Sequence, residues 1–176
     1  MSILPEEAKK YIGMRSETKI ACDRVERGAV RRYAQAIMDD NPIFDRPCAD
    51  NERYGGPVAP PLYPTHSFRR AFGSPDPIQE QAHNPDYDGI DGAASMWGLP
   101  EIEPLKGMAV INGGTEIEFF QYARHGESIS VSSRYADIRE RETSKGPIIL
   151  VIIESEHRNE EGELLVRVVF TAIRRK

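Results

Sequence analysis

Apolar positions recur with two different periods along this chain, and the change of period divides it. Ala29, Val30, Tyr33, Ala34 and Ile37 fall three and four apart, with Arg27, Arg31 and Arg32 off their stripe. That spacing predicts an amphipathic helix of about four turns over residues 25–38. It stops at Asp39-Asp40-Asn41-Pro42, because proline lacks a donor and disfavours a helical residue before it. Upstream, Asp23 with Glu26 three residues on resembles an N-cap, and Thr18–Cys22 has the makings of a short strand. Beyond residue 106 the period falls to two. Glu116–Phe119 alternates, and so does Ser128–Tyr135, with Ile129, Val131 and Tyr135 on one face, which predicts half-buried strands. Ile148–Ile153 is apolar throughout, as for a strand covered on both faces, and Leu164–Ile173 follows. His125-Gly126, Ser144–Pro147 and Asn159–Gly162 supply turn signals. Short connections between long strands predict an antiparallel meander, and the helix stripe must bury against it. The fold class is α+β: one long helix wrapped by an antiparallel sheet.

Between these zones the pattern breaks down. Eleven of the 13 prolines lie from Pro42 to Pro104. Tyr54–Pro61 leads into a second expected helix, which starts at the prolines and runs through Leu62–Phe72. Residues 73–106 show no period and predict a long loop. It carries Ile78, Tyr87, Ile90, Met96, Trp97, Leu99 and Leu105, so part of it should pack on something. With 176 residues the chain fits a single domain over 1–176, this loop being its insertion. A net charge of −5 gives no general attraction to nucleic acid or an anionic membrane. No apolar run approaches the ~20 residues of a membrane span, and no basic region followed by an apolar stretch opens the chain. Cys22 and Cys48 form no disulfide framework, which points to the reduced cytoplasm. No pair among His83, His125 and His157 has metal-ligand spacing, and neither a metal nor a cofactor is expected. Arg174-Arg175-Lys176 reads as a solvated terminal cluster.

Three stretches, in order, point to a family. Tyr33–Phe44 ends in Asp39-Asp40-Asn41-Pro42-Ile43-Phe44, Gly56–Pro61 enters the second helix, and Phe119–Glu127 runs from an aromatic stretch to a Gly-acid pair. Together they resemble the MaoC-like dehydratases of hot-dog fold, in the subgroup of the fatty-acid-synthase-like dehydratase domain. The likeness runs from about Tyr11 to Ile173. It implies the addition of water to a trans-2-enoyl thioester, or its removal from a (3R)-hydroxyacyl thioester. The loop's Asp and His move the protons, and a backbone N–H at a helix start stabilises the thioester oxyanion.

Residue by residue, the family's Asp falls on Asp39, its Asn and Pro on Asn41 and Pro42, and its His on Phe44. A phenyl ring cannot exchange a proton. Where active members place a His-Gly pair at the helix entry, this chain has Pro60 and Pro61, after Ala59, and proline has no N–H. The resemblance therefore implies Asp39 as the one candidate catalytic residue, and Asn41, Phe44, Ala59, Pro60 and Pro61 as the substrate-binding set. It implies an acyl-CoA or acyl-carrier-protein thioester as ligand, and a second hot-dog subunit, homo- or heterodimeric, as partner. The expected function is the half of a hydratase/dehydratase that shapes the acyl tunnel. The alternatives are an autonomous homodimeric hydratase, a thioesterase using Asp39 or Asp40 as base, and a silent acyl-CoA-binding protein. Trp97 and residues 73–106 either cover the acyl chain or pack on protein.

Overall fold

The strands that alternate most clearly form the centre of one sheet. The structure, a computed structural model, describes residues 2–68, 71–86 and 97–175. Its strands are β1 (Lys19–Ile20), β2 (Ala109–Phe119), β3 (Ile129–Arg141), β4 (Ile148–Asn159) and β5 (Leu164–Arg175). They pair antiparallel throughout in the order β1-β3-β4-β5-β2. The expected α+β hot-dog class holds, and the expected meander holds for β3, β4 and β5. Instead of turning back on β3, β2 lies at the far edge against β5. The connection after β2 crosses rather than turns. The Phe120 amide bonds the Leu165 carbonyl at 2.9 Å, and the Ala123 carbonyl takes the Ala59 amide at 2.8 Å.

Period two sorts the sheet's faces. In β4, Ile149, Val151, Ile153, Ser155, His157 and Asn159 are all buried on the inner face. In β3, a register shift between Tyr135 and Asp137 lets Tyr135 and Ile138, three apart, both turn inward. The outer face carries a ladder of charges across four strands: Arg134–Glu154 at 2.8 Å, Arg158–Glu156 at 2.8 Å, Arg167–Glu156 at 3.4 Å and Arg167–Glu118 at 2.8 Å. On that face Leu150 is buried while Ile148 and Ile152 are half-buried, so the outer side of the apolar run is covered in part.

Two separate layers cover the inner face. Helix α1 (Arg27–Ala36) buries Val30 and Ala34 over Ile129, Leu165 and Val166. It is shorter than the expected 25–38. Its N-cap is Glu26, with no side-chain bond, and not Asp23. At its far end the Met38 amide bonds the Gln35 carbonyl and the Asp39 amide that of Ala34, a Schellman closure with Met38 left-handed at φ 57°. The other half lies under the N-terminal arm and residues 97–105. Leu4, Ala8, Leu99, Ile102 and Leu105 pack there on Tyr135, Ile138, Ile149 and Val151. Glu140 holds the arm, accepting from Ser2 Oγ and the Ile3 and Leu4 amides at 2.8–2.9 Å. The Tyr135 hydroxyl donates to the Pro100 carbonyl at 2.7 Å, and burial pushes its pKa up to about 12. Trp97 stacks on Phe170 with centroids 4.9 Å apart. Of the two roles weighed for the long loop, residues 97–105 therefore take the packing one. The loop also contains helix α3 (Pro77–Gln81) and a 3₁₀ turn at Glu103–Leu105, which periodicity did not mark. Tyr87, Ile90, Met96 and Lys176 lie outside the described residues. The expected second helix is only α2 (Tyr63–His66), and Phe72 stands fully exposed beyond it.

Between the two covered halves the inner face turns polar. Ser133 and Ser155 share a hydrogen bond of 2.7 Å. His157 is 6% exposed, and its Nδ1 has no hydrogen-bond partner. Phe68 covers its ring at 5.7 Å between centroids. Burial pulls the imidazole pKa down to about 4, against the pull of a backbone bond at Val166. The folded state thus binds the proton less well than the unfolded state does. Stability is full above the ordinary imidazole pKa and falls as pH drops from 6.5 towards 4. We expect this group to remove about 3 kcal/mol across that window. Urea titrations at stepped pH should show the slope in the wild type and its loss in His157→Phe.

Candidate active site

Proline placement builds the loop where Asp39 sits. After the Schellman turn, Asp39 Oδ1 accepts from the Asn41 amide at 3.1 Å, and Asn41 Oδ1 accepts from the Ile43 amide at 3.2 Å. Pro42 then opens a 3₁₀ turn, Pro42–Phe44. Both polar side chains thus spend one oxygen on the local backbone. Arg27 reaches Asp45 at 3.1 Å and ties the loop to the first turn of α1. Both partners are exposed, so the pair contributes little, on the order of 0–1 kcal/mol.

The loop's firm anchor is Asn51, a residue the sequence did not mark. It is 1% exposed. Its Nδ2 donates to the carbonyls of Ile43 and Arg46 at 3.2 and 2.9 Å, and its Oδ1 accepts from the Cys48 amide at 3.1 Å. An Asn amid Ala-Asp-Asn-Glu has no apolar period to betray its burial.

A cleft of about 360 Å³ opens beside this loop. Ala34 and Gln35 of α1, Asp39, Asn41, Pro42 and Phe44 line it, with Arg31 and Arg46 at its sides. The structure thus brings together Asp39, Asn41 and Phe44 of the candidate set. It sets Ala59, Pro60 and Pro61 elsewhere. Ala59 and Pro60 are fully buried, and Pro61 is half-buried. Among the described residues no histidine lines the cleft. Phe44 is buried, its ring 6.4 Å from that of Tyr122.

The segment before α2 is sewn to its surroundings by its own amides. The Val58 amide donates to the Ile43 carbonyl at 3.1 Å, and the Ala59 amide to the Ala123 carbonyl at 2.8 Å. Pro60 and Pro61 have no amide proton to give. From 58 to 61, therefore, every backbone donor is either committed or missing.

Two histidines lie near without entering the cleft. His66 lines a different cleft of about 390 Å³ between α1 and α2, its ring 5.0 Å from Tyr33. Burial pushes the Tyr33 hydroxyl pKa up. His125 sits in the turn beside the loop, its amide bonding the Pro57 carbonyl at 3.3 Å. Burial lowers its imidazole pKa, with Arg27 adding to that, while the Val58 and Phe44 carbonyls and Asp45 oppose. Its Nε2 is shielded from solvent. Chemically, the cleft offers carboxylates and an apolar wall. It offers no imidazole and no oxyanion donor from 58–61.

Comparison with known proteins gives one family and a set of folds. A model of the FAS1-like, dehydratase domain region matches residues 10–168. No protein of curated function matches. One similar solved structure is the ChsH1-ChsH2 complex from Mycobacterium tuberculosis. It shares 19% identity at a TM-score of 0.66, over 97% of this chain and 88% of that one. The (R)-hydratase from A. caviae involved in PHA biosynthesis shares 15%, TM-score 0.56, over 92% and 94%. The HadBC (3R-hydroxyacyl-ACP dehydratase) complex from M. tuberculosis shares 16%, TM-score 0.52, over 93% and 96%.

Removing the amide of Asn51 should free the loop. Asn51→Ala is expected to cost about 3 kcal/mol in urea unfolding, since it strands the Arg46 carbonyl and the Cys48 amide and removes one of the two bonds to the Ile43 carbonyl. The exposed neighbour change Asp50→Ala should stay within about 0.5 kcal/mol.

Proposed function

From the premise that this chain belongs to the FAS1-like dehydratase region family, the MaoC-like hot-dog dehydratases, we propose that it is the tunnel-shaping half of a two-chain enoyl-thioester hydratase/3-hydroxyacyl-thioester dehydratase. The observation that carries this is the spent backbone of residues 58–61. The reaction builds negative charge on the thioester oxygen, which needs an amide proton aimed at it. Here Val58 and Ala59 have given theirs to Ile43 and Ala123, and Pro60 and Pro61 have none.

The second support is Phe44. Hydration needs one group to take a proton from water and another to give one to carbon. Asp39 can do one of these at most, and the cleft holds no imidazole for the other. A hot-dog partner would bring the complete acid/base loop and the oxyanion donor. This chain would contribute the apolar wall of Ala34, Pro42 and Phe44, which holds the acyl chain and keeps bulk water from the reacting carbon. The solved complexes named above each pair two different chains, which supports such an arrangement. The ligand is an acyl-CoA or acyl-carrier-protein thioester. The setting is the cytoplasm, where Cys22 and Cys48 stay reduced. Among the described residues no helix is long and apolar enough to cross a membrane.

Crotonyl-CoA and longer enoyl-CoAs test this, with the chain alone and with a hot-dog chain encoded beside it. Alone it should give no hydration. With the partner, hydration appears, Asp39→Asn changes kcat less than about threefold, and Phe44→Ala raises KM for long acyl chains about tenfold. Robust hydration by the chain alone, lost in Asp39→Asn, overturns the assignment. Thiol release from acyl-CoA with the enoyl absorbance intact would mark a thioesterase instead.

A further inference from the structure

We propose that β2 is built to pair with the edge strand of a different chain, one that presents cations there, and not with a second copy of itself. This deepens the reading above, that a second hot-dog domain completes the site, by naming the surface and the chemistry of the partner.

Strand β2 pairs with β5 on one side, and no strand covers its other side among the described residues. All of it but Val110 is exposed. Ile111, Ile117, Phe119 and the following Phe120 are 42–48% exposed. A long edge with apolar side chains invites another strand unless something blocks or covers it. Its middle is blocked. The register shifts between Asn112 and Gly114, and Gly113 lies so close to β5 that a Cβ would meet the Thr171 carbonyl at 2.9 Å. The Gly114 amide donates to Asn112 Oδ1 of its own strand at 2.8 Å. Two regular stretches remain, the short Ala109–Asn112 and the longer Thr115–Phe119, where Ile117 and Phe119 stand.

Self-pairing of this stretch has few registers. Two copies joined edge to edge into one sheet are related by a two-fold perpendicular to it. Facing residues must share a face, so the axis passes through a residue. An axis at Glu116 sets Glu116 against Glu116 of the other copy. At Ile117 it sets Glu116 against Glu118 twice, and at Glu118 it sets Glu118 against Glu118. An axis at Thr115 draws in the bulge. Every register centred within Glu116–Glu118 therefore opposes carboxylates, whereas an axis at Phe119 runs off the end of the strand and one at Val110 or Ile111 pairs only three residues before the strand end or the bulge. Glu116 makes no ion pair among the described residues, and Glu118, though 2.8 Å from Arg167, is 60% exposed. Like charges directly opposed across strands repel, and here they guard against self-association while leaving the edge open. The strand that fits has Lys or Arg opposite Glu116 and Glu118 and apolar residues opposite Ile117 and Phe119.

The chain itself tests this, with a charge-reversed copy as the basic partner. The wild type, Glu116→Lys and the double variant Glu116→Lys/Glu118→Lys are compared by sedimentation, after circular dichroism shows equal folding. The wild type and the double variant should each remain monomeric at micromolar concentration. Their equimolar mixture should associate about tenfold more tightly than either alone, and about 1 M salt should weaken it. Across the axis at Ile117, the single variant Glu116→Lys sets its new ammonium group against Glu118 of the other copy, so its self-association should also strengthen about tenfold. A wild-type dimer that Glu116→Lys and salt leave unchanged overturns the proposal, and so does a mixture that fails to associate. No substrate is present, so either failure is separate from that of the hydratase reading, which hydration by the lone chain would sink.

Discussion

The amides of Val58 and Ala59 bind three segments into one body. Through them the loop after α1, the strip before α2 and the crossing connection after β2 share hydrogen bonds at Ile43 and Ala123. The seam lies in the apolar cluster under α1, where Ile43, Val58, Ala59 and Ala123 are all buried. Buried backbone groups must find partners within the protein. Once these donors are spent on the fold, they cannot also face a reacting oxygen. Architecture and chemistry compete here for the same protons, and the fold takes them. Two prolines directly after the seam leave no second pair to take over.

Sequence alone resolved the strands well because half-buried strands write their burial as a period of two. In β4 the alternation of Ile149, Val151 and Ile153 continues through Ser155, His157 and Asn159, and there hydropathy stops reporting it. A buried histidine looks like a surface one until its neighbours are known. The helix ends were read less well. Asp23 and Glu26 satisfy a capping pattern, yet the turn is closed by backbone geometry, and Met38 takes the left-handed position that glycine usually fills. The place of β2 was hidden for a different reason. Only the crossing of residues 120–128, held by long-range bonds, sends it to the far edge. The candidate cleft was legible where a motif fixes its residues locally, at Asp39, Asn41 and Phe44, which line it together. It was not legible at Asn51, whose role depends on carbonyls five and eight residues away. Nor was the burial of Ala59 and Pro60 apparent, because it is set by pairing with residue 123.

The inner face is divided between two layers. Short α1 covers the end near Ile129, and the N-terminal arm with residues 97–105 covers the end near Ile149. A ten-residue helix is about 15 Å long at 1.5 Å per residue, whereas β4, with 12 residues, extends about 40 Å. One such helix cannot span the sheet, so a second layer is a geometric need. The irregular, proline-rich segment supplies it through Leu99, Ile102 and Leu105. Where the layers meet, Ser133, Ser155 and His157 occupy the gap. The histidine's low proton affinity is the electrostatic consequence of that position.

Cleft and edge point to the same organisation from independent physics. In a homodimer of this chain every site would be built from the same parts, with Phe44 in place of an imidazole and residues 58–61 without a free amide. Self-pairing through β2 would therefore duplicate a deficiency rather than supply what is missing. Glu116 and Glu118 oppose that pairing in each register centred within Glu116–Glu118. Ile117, Phe119 and Phe120 still leave an apolar surface that gains from being covered. Repulsion between copies costs nothing in a complex whose other chain carries opposite charge, and there it becomes attraction. An edge that is apolar, open and acidic is thus selective rather than merely protected. On the proposed reading it excludes the pairing that adds no chemistry and favours one that brings a different set of groups to the cleft.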